Sequence, residues 1–330
     1  MWPEATAVSY VLPIRWPEDR GRDELTDYLR WLSGRAEVLV VDGSPPAAFA
    51  EHSRRWGAIV RHMPPHADLH FASGKVKGVT TGVREATFPR IVIADDDVRY
   101  DDAGLQRVAE LLDHSDLVRP QNYFDPLPWH AVWDGGRSLI NRALAADFPG
   151  TLGVRRDTFL AMNGYDGDVL FENLELIRTV QAFGGTVSTP MDLFVRRLPA
   201  TDRHFWSQRL RQAYDDFSQP ARMGVALSVL PALVLAPRGA RAWLGAAMAG
   251  LTVALAEWGR RRGGTSRVVP ARVALCAPVW VAERAVCSWL ALGARVALGG
   301  VPYGSVVMQR AATPRAQLRR RFAAEAPPRP

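Results

Sequence analysis

The first hundred residues alternate between short apolar runs and segments that carry apolar residues at helical spacing. The runs are rich in Val, Ile and Leu and have the length of buried β-strands. Strands that alternate with helices predict a parallel sheet covered by helices on both faces. The predicted strands are 8–14, 37–42, 58–62 and 91–95, and the predicted helices are 23–33, 46–55 and 73–86.

The pattern becomes irregular between 116 and 150, where four prolines interrupt it. We expect a long connection there, with one helix near 136–146. Long irregular segments in compact domains usually carry binding residues. Regular patterns resume farther along, with predicted strands at 150–155 and within 187–196 and predicted helices at 172–183 and about 203–217.

After Pro220 the chain consists largely of uncharged segments of Ala, Leu, Val and Gly. Each segment is shorter than the ~20 residues that cross a bilayer as a straight helix. Arginine clusters flank them, and positively charged loops tend to stay cytoplasmic. We therefore expect a membrane-associated helical region of shallow or re-entrant hairpins, with a soluble helical bundle as the alternative. The uncharged segments are 223–237, 242–256, 273–282, 285–294 and 296–308.

The charge of the 330-residue chain is net positive, +7, and the excess lies near its end. From Arg260 onward only two acidic residues occur. The two cysteines form no disulfide framework, and the first residues do not resemble a signal peptide. The predicted organisation is an α/β domain over 1–219, an apolar helical region over 220–308 and a basic, disordered tail over 309–330.

Three consecutive carboxylates, Asp95, Asp96 and Asp97, end the apolar run at 91–95. They would repel one another without a positive charge among them, and oxygen ligands suit magnesium or manganese. Asp42 ends a neighbouring predicted strand, and parallel sheets bind ligands beyond the carboxyl ends of their strands. An Asp-rich turn is the simpler alternative. The convergence with Asp42 favours a site for a metal and a phosphate.

Seven segments together resemble the inverting, family-two glycosyltransferases with the GT-A fold, over residues 8–217. Each segment is weakly specific alone, whereas their order and spacing are more specific. The resemblance implies a Rossmann-like α/β domain that binds a nucleotide sugar. The segments are Val8–Pro13, Val40–Ser44, Gly74–Gly78, Ala94–Asp97, Gly150–Arg156, Phe171–Leu176 and Gln208–Gln212.

By this resemblance, the nucleotide-sugar donor contacts strand ends and the loop that enters a helix. Asp97 would bind Mg²⁺ or Mn²⁺, with His204 as a further ligand, and the metal would neutralise the departing diphosphate. The structural alternatives are an Asp that opens a turn, lysines on a solvated face and a packed histidine. The implied donor-binding residues are Pro13, Asp42, Lys75, Lys77, Asp95 and Asp96.

The resemblance also implies an acid pair at the start of the helix 172–183, where one carboxylate takes the proton of the acceptor hydroxyl. Here the pair is Glu172-Asn173, and Asn cannot act as a base. Glu172 is therefore the predicted catalytic base, with Glu175 on a similar helical face. The alternative is that Glu172 only complements the helix N-terminus and that the base lies elsewhere.

Aromatic and basic side chains are candidates for contacts with the acceptor or the diphosphate. Residues 208–212 resemble a Gln-x-x-Arg-Trp motif, but Gln212 stands where Trp is usual, which weakens a polysaccharide-synthase interpretation. Trp suits sugar recognition and is also a common packing residue. The candidates are Trp129, His130, Trp133, Gln208, Arg209 and Arg211.

We predict an enzyme that moves a sugar from a nucleotide-sugar donor to a lipid or lipid-linked acceptor, in cell-envelope glycan or glycolipid synthesis. It would lie at the cell membrane with its catalytic domain on the cytoplasmic side, and nucleic acid is not an expected partner. A non-catalytic nucleotide-sugar-binding module is the alternative that Asn173 favours. A nucleotidyltransferase fits less well, because its Gly-rich, Lys-containing loop is missing after the strand 8–14.

Overall fold

The computed structural model describes residues 7–16, 22–304 and 306–325. The chain divides into two compact units, the first within 1–120, 149–195 and 313–330, the second within 121–148 and 196–312. The boundary predicted near 220 followed the change in composition. The structure instead assigns the irregular loop 121–148 to the second unit and the end of the chain to the first.

The secondary structure of the described residues comprises short strands and helices of one to seven turns. The strands are β1 (Val8–Ile14), β2 (Glu37–Asp42), β3 (Arg61–Met63), β4 (Arg90–Ala94), β5 (Val98–Arg99), β6 (Leu117–Val118), β7 (Gln121–Phe124), β8 (Thr151–Arg155), β9 (Val187–Ser188), β10 (Phe194–Arg197), β11 (Val301–Tyr303) and β12 (Val306–Met308). The helices are α1 (Arg22–Ser33), α2 (Pro46–Trp56), α3 (Gly74–Glu85), α4 (Asp102–Leu112), α5 (Trp129–Leu144), α6 (Arg156–Ala161), α7 (Glu172–Phe183), α8 (Asp202–Ser207), α9 (Arg209–Tyr214), α10 (Pro220–Leu235), α11 (Arg238–Arg261), α12 (Ala271–Leu275), α13 (Ala277–Leu298) and α14 (Arg315–Glu325).

The first unit is built on a seven-stranded sheet with the order β3-β2-β1-β4-β8-β6-β9. Strands β1 to β4 are parallel, as predicted. Strand β8 is antiparallel to both β4 and β6, so the sheet is mixed and the prediction of a parallel sheet was incomplete. The chain enters β8 from the excursion 121–148 and not from a β-α crossover, which allows the reversed direction. The predicted fold class, an α/β domain with an apolar helical region, is confirmed.

Helix α3 packs unusually close to the central strand β1, because glycines face the strand. A Cβ atom on Gly82 would lie 2.3 Å from Val11 Cγ1, and one on Gly78 would lie 2.7 Å from Pro13 Cβ. The Ser73 side chain caps the helix by accepting a hydrogen bond from the backbone N–H of Val76. This packing holds the first turn of α3 beside the carboxyl ends of β1 and β4.

The second unit packs the loop helix α5 against α11, α12 and α13. Its core includes the buried residues Leu139, Ala256, Val273 and Trp280. Helices α11 and α13 have 24 and 22 residues, which corresponds to about 36 and 33 Å. Both belong to segments whose length and mean hydropathy, 1.3 and 1.4, are sufficient to cross a membrane. The uncharged runs themselves are shorter than a bilayer-spanning helix, but the helices are longer because they continue through the charged residues beside those runs.

Residues 315–325 form helix α14 on the first unit, where the sequence indicated a disordered tail over 309–330, and residues 326–330 of that predicted tail lie outside the described residues. Leu318 is buried, and the ring of Phe322 packs edge-on against Phe183 of α7 with 5.3 Å between centroids. Before α14, the backbone N–H of Thr313 donates to Glu175 Oε2 at 2.7 Å. Apolar residues four apart give this arginine-rich helix a packing face that its overall composition hides.

Candidate active site

One lysine joins three segments that the sequence analysis assigned to the donor and the base. Lys75 Nζ, in the first turn of α3, lies 2.5 Å from Asp95 Oδ1 and 2.8 Å from Glu172 Oε1. Asp95 follows β4 and Glu172 begins α7. All three side chains are largely buried. Burial by itself lowers the pKa of the Lys75 ammonium, but the charges of Asp95 and Glu172 outweigh it and hold that pKa above its usual value.

Asn173, which stands where the resembled family has an acid, is the third hydrogen-bond acceptor of Lys75. Its Oδ1 accepts a hydrogen bond from Lys75 Nζ at 3.3 Å. Its Nδ2 donates to the backbone carbonyl oxygen of Pro149 at 2.9 Å. Glu172 is thus the carboxylate of the pair, in the position predicted for the base, and its catalytic role stays a prediction.

Asp96 and Asp97 lie in the turn between β4 and β5 and are half-buried. Trp16, just after β1, donates from its indole Nε1 to Asp96 Oδ2 at 2.5 Å and from its backbone N–H to Ser44 Oγ at 2.9 Å. Trp16 therefore links the ends of β1 and β2 to the acidic turn. Trp16 was not among the predicted residues, although a tryptophan two residues beyond a strand's carboxyl end was a usable signal.

Asp42 lies at the end of β2, and its carboxylate is buried and hydrogen-bonded to neighbouring residues. Its Oδ2 lies 2.7 Å from His52 Nδ1 and 3.0 Å from His62 Nε2, and its Oδ1 accepts from the Ser44 N–H at 2.8 Å. Burial alone would raise the pKa of Asp42, but hydrogen bonds from His62, Ser44 and His52 lower it to about 2. The predicted contact with a nucleoside stays a prediction.

Asp42, His52 and His62 also offer three ligand atoms within 4.8 Å of one another. Two imidazoles and a carboxylate are typical of zinc, whereas the oxygen-only set of Asp95, Asp96 and Asp97 suits Mg²⁺ or Mn²⁺. The histidines were missed because they come from α2 and β3, with no recognisable metal-binding spacing.

Two further predicted donor residues flank this site. Pro13 lies near the carboxyl end of β1, where Gly78 of α3 approaches it. Lys77 follows Lys75 by two residues in α3, so its side chain points to a different side of the helix. Their contacts with a donor stay predictions.

The acceptor-side candidates belong to the second unit, where several have structural partners. Arg209 is buried, and its guanidinium bonds both oxygens of Asp134 at 2.6 and 3.0 Å while lying 3.9 Å from the Phe205 ring centroid. His130 Nε2 lies 3.2 Å from Asp202 Oδ1. The Gln208 amide donates to the neighbouring Ser207 Oγ. These residues shape the unit, and a direct contact with diphosphate stays a prediction for each.

An aromatic cluster of Trp129, Trp133, Phe205 and Trp206 forms through edge-on and tilted ring contacts. Trp129 and Trp206 are 48% and 53% exposed, so half of each indole surface is available for a ligand. Trp129 and Trp133 were predicted from the sequence as candidate contact residues, and Trp206 was not.

His204 and Arg211 are the two remaining candidates in the second unit. His204 is exposed in the short helix α8, and its proposed metal contact stays a prediction. Arg211 lies over the Tyr303 ring, 5.1 Å from its centroid.

No protein-family model matches this chain, and no curated protein matches it. Solved structures with a similar fold include the mannosyltransferase PcManGT from Pyrobaculum calidifontis in complex with GDP-Man and Mn²⁺, at 17% identity, TM-score 0.49 and 86% coverage of each chain. S. aureus TarS 1–349 in complex with UDP-GlcNAc has 12% identity and TM-score 0.45, with 91% of this chain and 94% of that one covered. Glucosyl-3-phosphoglycerate synthase from Mycobacterium tuberculosis, in a complex with Mn²⁺ and UDP, has 12% identity and TM-score 0.43, with 63% of this chain and 77% of that one covered.

These structures are glycosyltransferases of the GT-A type, the fold that the sequence segments resemble. At these identities, and with every TM-score below 0.5, the likeness carries no argument about the function of this chain. The assignment of a function therefore depends on the side chains of the site itself.

Proposed function

We propose that this protein is a metal-dependent, inverting glycosyltransferase that moves a sugar from a nucleotide-sugar donor to a lipid or lipid-linked acceptor at the membrane. The observation that supports it most is the junction at Lys75. Residues far apart in the sequence, predicted separately to bind donor and to act as base, meet there within 2.8 Å. A packing role alone does not account for a largely buried cluster of one cation and two anions, because such groups are costly to desolvate.

The donor side of the reaction is assigned to the acidic turn and to Lys75. A divalent cation held by Asp97, beside Asp95 and Asp96, would neutralise the charge that develops on the departing diphosphate. Lys75 supplies a positive charge for the same diphosphate from the first turn of α3. Trp16 fixes the orientation of Asp96 through its indole N–H. These residues bind and orient the donor.

The acceptor side is assigned to Glu172, which takes the proton of the attacking hydroxyl at a carboxylate oxygen. One base and one direct displacement invert the anomeric centre, as the sequence resemblance implies. Trp129 and Trp206 present aromatic surface in the second unit, which suits the apolar face of a sugar or an isoprenoid chain. They are the residues proposed to contact the acceptor.

Attachment to a membrane is supported by the surface of α11. Trp243 and Trp258 are 79% and 62% exposed near its two ends, and tryptophans favour the membrane interface. Arginines lie outside each tryptophan, at Arg241 and Arg260. We assign these arginines to the headgroup region and the first unit to the cytoplasmic side, where a soluble nucleotide sugar is available.

The test is donor hydrolysis and transfer with a panel of UDP-, GDP- and dTDP-sugars and Mn²⁺. We expect one donor class to be consumed, with activity lost on chelation by EDTA and in Asp97→Ala. The exposed Asp102→Ala serves as the matched control and should keep wild-type activity. Donor binding without turnover under all conditions would favour the non-catalytic binding module, and full activity of Asp97→Ala would contradict the metal assignment.

A further inference from the structure

The cation proposed to bind the donor and the carboxylate proposed as base are bonded to each other. An ammonium has three N–H bonds, and Lys75 has three acceptors, in Asp95, Glu172 and Asn173, at 2.5, 2.8 and 3.3 Å. A donor diphosphate can therefore be contacted by Lys75 only if one of these bonds is released.

We infer that Lys75 holds Glu172 inactive until the donor binds, and that the diphosphate frees the base by drawing Lys75 away. This inference rests on the proposed function. Of the two carboxylate oxygens of Glu172, Oε1 is occupied by the ammonium, so an acceptor hydroxyl that approaches this oxygen while the donor site is empty must displace a charge-assisted hydrogen bond. Once Lys75 contacts the diphosphate, the same oxygen is open to the hydroxyl.

The contacts indicate which bond is released. Asp95 follows β4 directly, and its backbone N–H is fixed by the carbonyl oxygen of Gly150 at 2.8 Å. The Lys75–Asp95 contact is also the shorter of the two ion pairs. Glu172, with one more methylene group and the longer contact, is the partner that Lys75 gives up.

Asn173 lowers the electrostatic cost of moving Lys75 from Glu172 to the diphosphate. It accepts the third N–H of Lys75 without adding negative charge, so one lysine faces two carboxylates and not three. A third carboxylate would hold the ammonium more strongly and would oppose its movement toward a phosphate. Asn173 is on this view a positioning residue for Lys75, and its replacement of the usual acid has a function.

The test measures binding of UDP, GDP and dTDP with Mn²⁺ by calorimetry, in wild type and variants. We expect Glu172→Gln to bind the nucleoside diphosphate about three- to tenfold more tightly, since Lys75 no longer breaks an ion pair, while its transfer activity is lost. Lys75→Met should bind more weakly than wild type. Arg84→Met, which removes a positive charge from the last turn of the same helix, is the control and should bind like wild type.

The decisive measurement is the double variant Lys75→Met/Glu172→Gln. If Lys75 mediates the effect, Glu172→Gln gives no tightening in the Lys75→Met background. Tightening of equal size in both backgrounds would show general charge repulsion and would overturn the inference, as would unchanged or weaker binding by Glu172→Gln alone. If wild type binds none of the nucleotides, the proposed function fails and this inference fails with it.

Discussion

Asn173 donates a hydrogen bond to the backbone carbonyl oxygen of Pro149, and this bond ties the start of α7 to the segment that precedes β8. The next carbonyl, that of Gly150, accepts from the backbone N–H of Asp95 at 2.8 Å. The residue that departs from the family pattern therefore helps to place the acidic turn relative to Glu172. A carboxylate has no N–H to donate, so an acid at 173 could not make this connection.

Asn173→Asp should for this reason destabilise the protein and should not create a better enzyme. It removes the donor to the Pro149 carbonyl and places a third carboxylate next to Asp95 and Glu172, whose like charges repel it, so the free energy of unfolding should fall by about 1–3 kcal/mol. Urea unfolding at pH 7, beside transfer assays, measures both effects. Gln181→Glu, at an exposed position of the same helix α7, is the control for a neutral-to-acid change. Faster turnover at undiminished stability would mean that 173 is a drifted base position.

Asp42 should contribute to stability in a defined range of pH. Its pKa in the folded protein is about 2, below that of an unfolded Asp, so the carboxylate stabilises the fold above about pH 4 and this contribution is lost as the pH falls toward 2. The shift corresponds to about 2 kcal/mol. Asp42→Asn should lower the free energy of unfolding by about that amount at pH 6, and the difference from wild type should shrink between pH 4 and 2.

Chemical unfolding across that range is the measurement, with the exposed Asp102→Asn as control. A constant gap between Asp42→Asn and wild type from pH 6 to pH 2 would show that the hydrogen bonds to His52 and His62 do not depend on the charge of Asp42.

The exposed aromatic pair should affect the acceptor and not the donor. Trp206→Ala and Trp129→Ala remove surface that is half exposed in the second unit. Loss of one aromatic contact of about 1–2 kcal/mol corresponds to a five- to thirtyfold higher KM for the acceptor. Donor hydrolysis without acceptor should be unchanged. The exposed Leu144→Ala is the control, and equal effects on donor hydrolysis would assign the tryptophans to folding.

Helix α11 should be required for membrane attachment. Replacing Trp243 and Leu251, both exposed, by Asp places two charges on the surface proposed to face lipid, at about 2–3 kcal/mol each near the helix centre and less near its end. We expect the double variant to shift from the membrane to the soluble fraction, or to lose binding to vesicles with anionic lipid. Leu144→Asp, an exposed apolar position outside α10 to α13, should remain with the membrane. Unchanged partitioning of the double variant would favour a soluble helical bundle.

Local patterns were sufficient for the elements that hold the donor site. The strands β1 and β2 and the helix α7 have the predicted bounds, and α3 differs by one residue at each end. Each has a clear apolar period and an identifiable start. Helix α4 was missed, although Asp101 caps it by accepting from the Gly104 N–H. The reversed direction of β8 was not predictable, because strand direction depends on pairing over long sequence separations.

For the candidate site, too, local segments were predictable from the sequence, whereas the contacts between them were not. Asp95, Lys75 and Glu172 were found because each belongs to a segment with family resemblance. The contacts of Asp95 and Glu172 with the Lys75 ammonium depend on the tertiary structure, so they could not be predicted from any one segment. The two histidines around Asp42 were not predicted because only their tertiary contacts show their importance.

The contact between Thr313 and Glu175 connects the segment just before helix α14 to helix α7, which carries the proposed base. Burial raises the pKa of Glu175, and the main-chain N–H of Thr313 partly offsets this by donating to its carboxylate. A protease cut between Ala312 and Thr313 would detach that donor from the second unit without removing any residue near Lys75. Limited proteolysis at this position should therefore change the surroundings of α7 one helical turn from Glu172, so the arginine-rich helix α14 and its preceding segment are structurally coupled to the helix that carries the proposed base.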